Sequence, residues 1–353
     1  MKALLVEPDI PLRYPNLGLL KLATKYKNLG YEIEYVKGKQ YFIGRPDVIL
    51  ISTMFTYYSK ETLDCINFYK NTFKDAEIQV GGIFATLMPD LIEKETGVKP
   101  KVGCFEELDR LTPDYSIIPQ MIKYSPYIEK WKDFSILFST RGCPRNCAFC
   151  SVKTLEPNTT IIPNWKELID LTKKNVMFQD NNLTSFPIEH FKDVMNFIIE
   201  NKLHVCFNNG FDCRILNEEQ MQLMAKVKWY PGGLRLAFDN MGEDKFIQKC
   251  VKRLLELGVS KSSFLIFCMF NFEDTFEEAM YRHTEMVKLK VRPYPQVYSP
   301  LDWLNKKVKY ISPNWTLELI REFRNYFVLA GNYKYMTFDE YLAKKGKKLE
   351  DLR

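Results

Sequence analysis

The sequence predicts an α/β protein: a doubly wound parallel sheet first, a second alternation of six strands with five helices after it, and a short C-terminal helical extension. Three observations carry that expectation. Apolar runs such as 3–6, 48–52 and 134–139 have the length of buried strands and are too short for helices. Between them lie longer stretches whose apolar residues recur at helical spacing, as Leu19, Leu22, Ala23, Tyr26 and Leu29 do. At 353 residues the chain has room for two domains, or for one barrel with an extension. Strand and helix alternating in this way imply right-handed crossovers and parallel pairing.

The first alternation opens with a strand at 3–6, broken by Glu7-Pro8-Asp9. A helix carrying Leu19 to Leu29 follows, and Gly30 stands where a C-cap belongs. Strands come next at 31–36 and 48–52, then helical spacing from Leu63 to Phe73, then a strand at 77–80 ended by Gly81-Gly82. Ligands of a doubly wound sheet gather at the carboxyl ends of its strands, here Glu7-Pro8-Asp9, Ser52-Thr53-Met54 and Gly81-Gly82. Residues 105–133 read as a connector interrupted by Pro113, Pro119 and Pro126. The second alternation places strands at 134–139, 175–179, 205–208, 233–238, 263–269 and 295–298. Its helices lie near 165–173, 188–201, 217–227, 244–257 and 276–289. Beyond Lys306, one amphipathic helix around 315–329 precedes an aromatic, basic stretch that reads as a lid with a solvated end. The expected domains are therefore 1–125, 126–305 and 306–353.

Composition narrows the classes. No apolar run approaches the ~20 residues that span a bilayer, and the N-terminal apolar stretch is too short for a signal peptide. A cytoplasmic protein with no membrane association is expected. Nine cysteines, an odd number, argue against a disulfide framework. The net charge of +6, from 50 basic and 44 acidic residues, permits an anionic partner such as RNA or DNA without demanding one.

The strongest chemical signal is Arg141-Gly142-Cys143-Pro144-Arg145-Asn146-Cys147-Ala148-Phe149-Cys150, directly after the apolar run 134–138. A structural zinc site takes four protein ligands, and an ordinary 4Fe–4S cluster takes four thiolates. Three thiolates on one short loop leave one iron open to a small molecule. This C-x3-C-x2-C spacing, with Phe149 before the last cysteine, resembles the signature of the radical S-adenosylmethionine (SAM) enzymes. The six later strands resemble the partial six-stranded (β/α)6 barrel of that superfamily. The first half resembles the cobalamin-binding-like, Rossmann-type domain that precedes many such barrels. The matching pieces are Pro15-Asn16-Leu17-Gly18-Leu19, Pro46-Asp47-Val48-Ile49-Leu50-Ile51-Ser52, Val80-Gly81-Gly82 and Val102-Gly103-Cys104-Phe105-Glu106-Glu107-Leu108. The chain departs from the pattern in its histidines: His190, His204 and His283 all lie beyond this domain, so a cobalt-ligating Asp-x-His motif is absent.

The resemblance implies that Cys143, Cys147 and Cys150 hold a 4Fe–4S cluster whose open iron chelates SAM. One electron then cleaves the sulfonium to methionine and a 5′-deoxyadenosyl radical, with a flavodoxin- or ferredoxin-type reductant as the source. Cobalamin is admitted at Gly81 and Gly82, whose bare backbone allows close approach of a ring and equally suits a tight turn. Barrel chemistry sits at the C-terminal strand ends. Phe149 is expected beside the cofactor, and Gln179, Asp180 and Asn181 end the second strand, where relatives hold the SAM amino group. Asp180 suits an ammonium group, an Asx turn being the alternative. Asn208 suits ribose or a carboxylate, and Arg235 pairs either with the SAM carboxylate or in a salt bridge. Asn271 follows the fifth strand, where relatives lay a glycine-containing segment along the adenine; here the glycines are missing. Cys213 reads as a hydrogen-atom donor or a structural thiol, and Tyr298 as a hydrogen-atom relay or a barrel-filling ring.

The implied activity is radical modification of an unactivated carbon in a small molecule, peptide or nucleic acid. Methylation fits if cobalamin binds. Isomerisation, epimerisation or dehydrogenation fits if the first domain only frames the substrate. A methylthiotransferase-like RNA modification would call for three more cysteines in the first domain, and only Cys65 and Cys104 precede the loop. A non-enzymatic iron–sulfur or zinc-binding protein would need no SAM.

Overall fold

The computed structural model describes residues 1–41, 44–329 and 331–353. They form two compact units, Met1–Asn181 with Leu301–Val308, and Asn182–Pro300 with Lys309–Arg353. The α/β class with parallel sheets is present as expected.

In the first unit, β1 (Lys2–Glu7), β2 (Glu32–Lys37), β3 (Val48–Thr53) and β4 (Glu77–Gly82) form a parallel sheet ordered β2-β1-β3-β4. Strands β1 and β3 are apolar over 3–6 and 48–51 because both faces are covered there. Alternate side chains go to opposite sides: Ala3, Leu5, Val48 and Leu50 pack with Leu19, Leu20 and Ala23 of the helix Leu17–Asn28. Leu4, Val6, Ile49 and Ile51 pack with Cys65, Ile66 and Tyr69 of the helix Ser59–Thr72. Asn16 caps the first of these helices, its Oδ1 accepting the Leu19 N–H at 3.2 Å. At the far end Gly30, with φ of 81°, donates its N–H to Lys27 O at 2.9 Å and turns the chain into β2. At the end of the β1–β2 ladder, Glu7 and Lys37 are register partners, and the buried Glu7 carboxylate lies 3.3 Å from Lys37 Nζ. Burial pushes Glu7 up to about 7, against the pull of Lys37.

Strand β5 (Phe134–Leu137) opens the second alternation; β6 (Thr140–Arg141) pairs antiparallel with β7 (Thr160–Ile161), and β5 pairs parallel with β8 (Asn175–Phe178). These elements belong to the first unit, which runs on to Asn181. The side chains explain the attachment. Trp131 stacks on Tyr14 at 4.8 Å and meets Phe134 edge-on at 4.9 Å, while the Ile136 N–H donates to the Tyr115 hydroxyl at 2.7 Å. The connector also holds short helical segments, Ile118–Tyr124 and Pro126–Trp131. The helix expected at 165–173 is only the 3₁₀ turn Trp165–Leu168. Asp170 stops it: its carboxylate accepts from Thr172 N and Oγ1 at 3.0 and 2.6 Å, and its own N–H donates to Ser135 Oγ at 3.0 Å.

The second unit carries β9 (His204–Phe207) parallel to β10 (Lys228–Trp229), and β11 (Leu234–Ala237), β12 (Phe264–Phe270) and β13 (Arg292–Val297) in one parallel sheet. Helices Ile188–Glu200, Glu218–Lys226, Asp244–Glu256 and Phe276–Lys288 fall within three residues of expectation at each end. Thr275 and Glu278 form an N-terminal capping box. The segment after β9 joins β11 through Phe211 N donating to Arg235 O at 3.0 Å, and a Cβ at Gly210 would lie 2.7 Å from that oxygen.

The C-terminal extension packs through its helix, while its basic end at 343–348 is largely exposed. Trp315, Leu319, Phe323 and Phe327 of the extension pack with Phe270 and Phe276 in one core. Lys345 and Lys347 hold the buried Glu322 carboxylate at 2.6 and 2.7 Å, and the Tyr341 hydroxyl donates to it at 2.9 Å. Burial opposes the charge on Glu322, but these donors hold it down at about 2. No helix among the described residues is long and apolar enough to cross a membrane.

Candidate metal centre

The cysteine loop lies within the first unit and begins at a constrained neck. Gly142 has φ of 79°, and a Cβ there would stand 2.2 Å from Asn158 O, because the strand leading into β7 runs directly against it. Only glycine fits. Gly142→Ala is expected to cost about 1–3 kcal/mol in backbone strain plus the steric overlap. Gly30→Ala is the control, since Gly30 has φ of 81° and no atom within 4 Å. Urea denaturation should rank the alanine variants in that order, and equal midpoints would refute the steric account. Past the neck, Cys150 N donates to Cys147 O at 3.0 Å, and Cys143, Cys147 and Cys150 are all half-buried.

Beneath the neck lies a group of buried charges. Arg141 lies over the Phe138 ring at 3.4 Å and donates to Asp109 through Nε and Nη2 at 3.0 and 2.5 Å. Its Nη1 donates to Glu156 Oε1 at 2.8 Å. Burial works against the guanidinium charge, but the Asp109 and Glu156 carboxylates outweigh it and raise the pKa above its usual value. Lys21 donates to Asp109 O at 3.0 Å and lies 3.6 Å from its carboxylate. Burial lowers Lys21 to about 8 despite Asp109. Glu156 Oε2 accepts from Gly142 N and from Asn181 Nδ2, both at 2.7 Å. The Cys104 thiol donates to Leu155 O at 3.6 Å.

Asp180 is 1 % exposed and faces inward. Its Oδ1 accepts from Ser139 Oγ at 2.7 Å and Thr140 Oγ1 at 2.5 Å, and Ser139 N donates to the same carboxylate at 3.1–3.2 Å. Burial raises its pKa, opposed by those donors. The side chain thus braces the corner between β5 and β6, a role neither the ammonium nor the Asx-turn expectation contained. Gln179 extends the β5–β8 pairing, its N–H donating to Leu137 O at 2.8 Å. The first unit therefore brings Gln179, Asp180 and Asn181 together with the neck of the cysteine loop.

In the second unit, Arg235 and Asn208 meet, Arg235 Nη1 donating to Asn208 O at 2.6 Å, with the guanidinium 5.7 Å from the Phe267 ring. Asn271 and Tyr298 also meet. Asn271 is fully buried with φ of 67°; its amide donates to Tyr298 O and Tyr310 O at 3.2 and 3.0 Å and accepts from Ser312 N at 3.0 Å. That amide ties backbone segments together, which accounts for its place after β12 without an adenine. The half-buried Tyr298 packs edge-on against Phe272 at 4.6 Å. Burial and the neighbouring Cys250 push the Cys213 thiol well above its usual value, which disfavours the reactive thiolate.

The donor chemistry fits an iron–sulfur cluster: three half-buried thiols on one loop, turned by a glycine, with buried cations beside its neck. Among the described residues no three His, Cys, Asp or Glu side chains converge as a single ion would require. A four-iron cluster spreads its thiolates over separate irons, so the cysteines need not meet at one point. At the first sheet the two glycines are accounted for without cobalamin. Gly82, with φ of 108°, is demanded by the sheet itself, since a Cβ there would lie 2.2 Å from Thr53 O. Gly81 has ordinary clearance, its nearest contact being Lys101 O at 3.6 Å. Beyond β1 and β3, the side chains of Ile10, Leu12 and Tyr58 form a cluster with Met54, Phe55 and Tyr57, and Ser59 Oγ donates to Leu304 O at 2.8 Å.

Glu156, Asp109 and Arg282 were not singled out from sequence. Glu156 and Asp109 lie outside the motif that drew attention to the loop, and Arg282 reads as one charged position on a helix; no spacing signal marks them. Compared with protein-family models the chain matches none, and compared with curated proteins it also matches none.

Proposed function

We propose that the chain is a radical SAM enzyme that modifies an unactivated carbon of a small molecule, peptide or nucleic acid. The observation that carries this reading is the tie between the neck of the three-cysteine loop and the end of β8, made by Asp180 with Ser139 and Thr140 and by Glu156 with Gly142 and Asn181. A loop bearing three thiols and a strand end bearing Gln179 and Asn181 are held as one piece, as binding a metal group and its amino-acid ligand side by side requires. Cys143, Cys147 and Cys150 would hold the cluster. When bound, it supplies the electron that cleaves SAM to methionine and a 5′-deoxyadenosyl radical. The chain's own part is to fix the loop, to keep Asp180 buried as a corner brace, and to offer Asn181 at the strand end. A flavodoxin- or ferredoxin-type protein is the reductant in this reading.

The missing Asp-x-His motif favours the cobalamin-free branch, in which isomerisation, epimerisation or dehydrogenation replaces methylation. Anaerobic reconstitution with iron and sulfide should load about four irons per chain. Adding SAM and dithionite should then release 5′-deoxyadenosine. Cys147→Ala should lose both the cluster and the product. An intact cluster that releases no deoxyadenosine would overturn the enzyme reading. Growth with hydroxocobalamin should leave the purified protein without a corrinoid spectrum.

A further inference from the structure

We propose that Glu156 is the positioning residue that fastens the neck of the cysteine loop to the end of β8 and sets the charge beside the cluster. The proposal rests on the radical SAM reading above. Glu156 stands six residues beyond Cys150, and its side chain is 9 % exposed. It receives three donors from two segments: Arg141 Nη1 at 2.8 Å and Gly142 N at 2.7 Å from the neck, and Asn181 Nδ2 from the end of β8 at 2.7 Å.

All three partners are donors, and a carboxylate is the side chain that only accepts. A glutamine of the same shape can serve Gly142 and Asn181 with its oxygen, but its NH2 then faces the Arg141 guanidinium. The isostere therefore cannot satisfy the set, and either the neck or Asn181 must give way. The local charges also balance: Lys21 and Arg141 stand against Asp109 and Glu156. Neutralising Glu156 leaves a buried positive excess immediately before Cys143. Reduction makes an iron–sulfur cluster more negative, so that excess favours the reduced state and the potential rises. The link to Asn181 adds a second consequence, since the strand end expected to hold the SAM amino group loses its support.

The test uses the full chain, reconstituted with iron and sulfide, as wild type, Glu156→Gln and Glu156→Asp. Glu156→Gln is expected to shift the midpoint potential upward and raise KM for SAM about tenfold, the loss of one charge-assisted hydrogen bond. Glu156→Asp keeps the charge and should keep a near-wild-type potential while still raising KM. A purely structural residue would alter cluster retention without separating charge from reach in this way. Wild-type potential and KM in Glu156→Gln would overturn the proposal. Hydrogen exchange of residues 139–145 in the cluster-free protein gives an independent reading: faster exchange in both variants supports the fastening role, and unchanged exchange refutes it. Should the wild-type chain load no cluster, the radical SAM reading fails by itself, and exchange still decides whether Glu156 holds the neck.

Discussion

Arg282→Met should destabilise the protein by about 3–5 kcal/mol, the cost of removing one partner from a buried ionic group, and lower its unfolding temperature by roughly 10 °C. Arg282 is fully buried at the carboxyl ends of β11 and β12. Its Nη1 donates to Phe238 O, Asp239 O and Met269 O at 2.9, 2.6 and 2.7 Å, and its Nη2 pairs with Asp274. Methionine fills much of the volume but deprives those carbonyls of the guanidinium donor and the largely buried Asp274 carboxylate of its cation, leaving it the Phe272 N–H at 3.2 Å. Arg282→Lys should lie between, because a point cation cannot span acceptors on two strands as the guanidinium fork does. Urea denaturation followed by circular dichroism measures both. A loss below about 1 kcal/mol for the methionine variant would sink the argument, since that is the range of a surface substitution.

The second large effect concerns acid. His283 is fully buried, its ring 4.9 Å from Phe323 and 4.5 Å from Phe327. Nδ1–H donates to Ala279 O at 2.7 Å, and Nε2 has no hydrogen-bond partner. Burial lowers the pKa to about 3, the Ala279 carbonyl opposing and the Arg282 charge assisting. The folded value lies below the unfolded 6.5, so between those values the unfolded chain binds a proton that the folded chain does not. Stability is therefore full above pH 6.5 and is lost as the pH falls towards 3, by at most about 1.4 kcal/mol per pH unit. Asp239, raised to about 6, and Glu7, raised to about 7, work in the opposite sense, because each binds its proton more tightly when folded. The measurement is accordingly a difference. The urea midpoint of His283→Phe should fall less than that of wild type between pH 7 and pH 4, and parallel profiles would refute the assignment.

The regular elements were legible because each is encoded locally. The apolar runs of β1, β3, β5 and β12 are strands, and helices such as Phe276–Lys288 carry both their spacing and their capping residues. What local pattern could not give is the choice between equally good local partners. The apolar spacing at 165–173 is helical, yet Asp170 binds Thr172 and Ser135 instead, and the helix stops after one turn. Asp180 was legible as a polar strand end, but its partners are Ser139 and Thr140, some forty residues earlier, and their hydroxyls turn it inward. The three cysteines were legible as a group because their spacing is the signal. The residues that hold their loop, Asp109, Glu156 and Asn181, come from three places in the chain and share no spacing.

The Glu7–Lys37 pair has a consequence for how the first sheet aligns. A strand that is polar on one face resists a one-residue slip, because slipping would bury the wrong face. Strands β1 and β3 are apolar on both faces, and that safeguard is weak for them. The alignment key sits at the ends instead. In the native register the Glu7 carboxylate meets Lys37, and at the opposite edge the Lys2 N–H meets the Asp47 carboxylate at 2.5 Å. Displaced by one position, Glu7 would face Val36, an apolar partner for a group with almost no access to water. A pair that adds little to net stability thus excludes the nearest mispaired sheet.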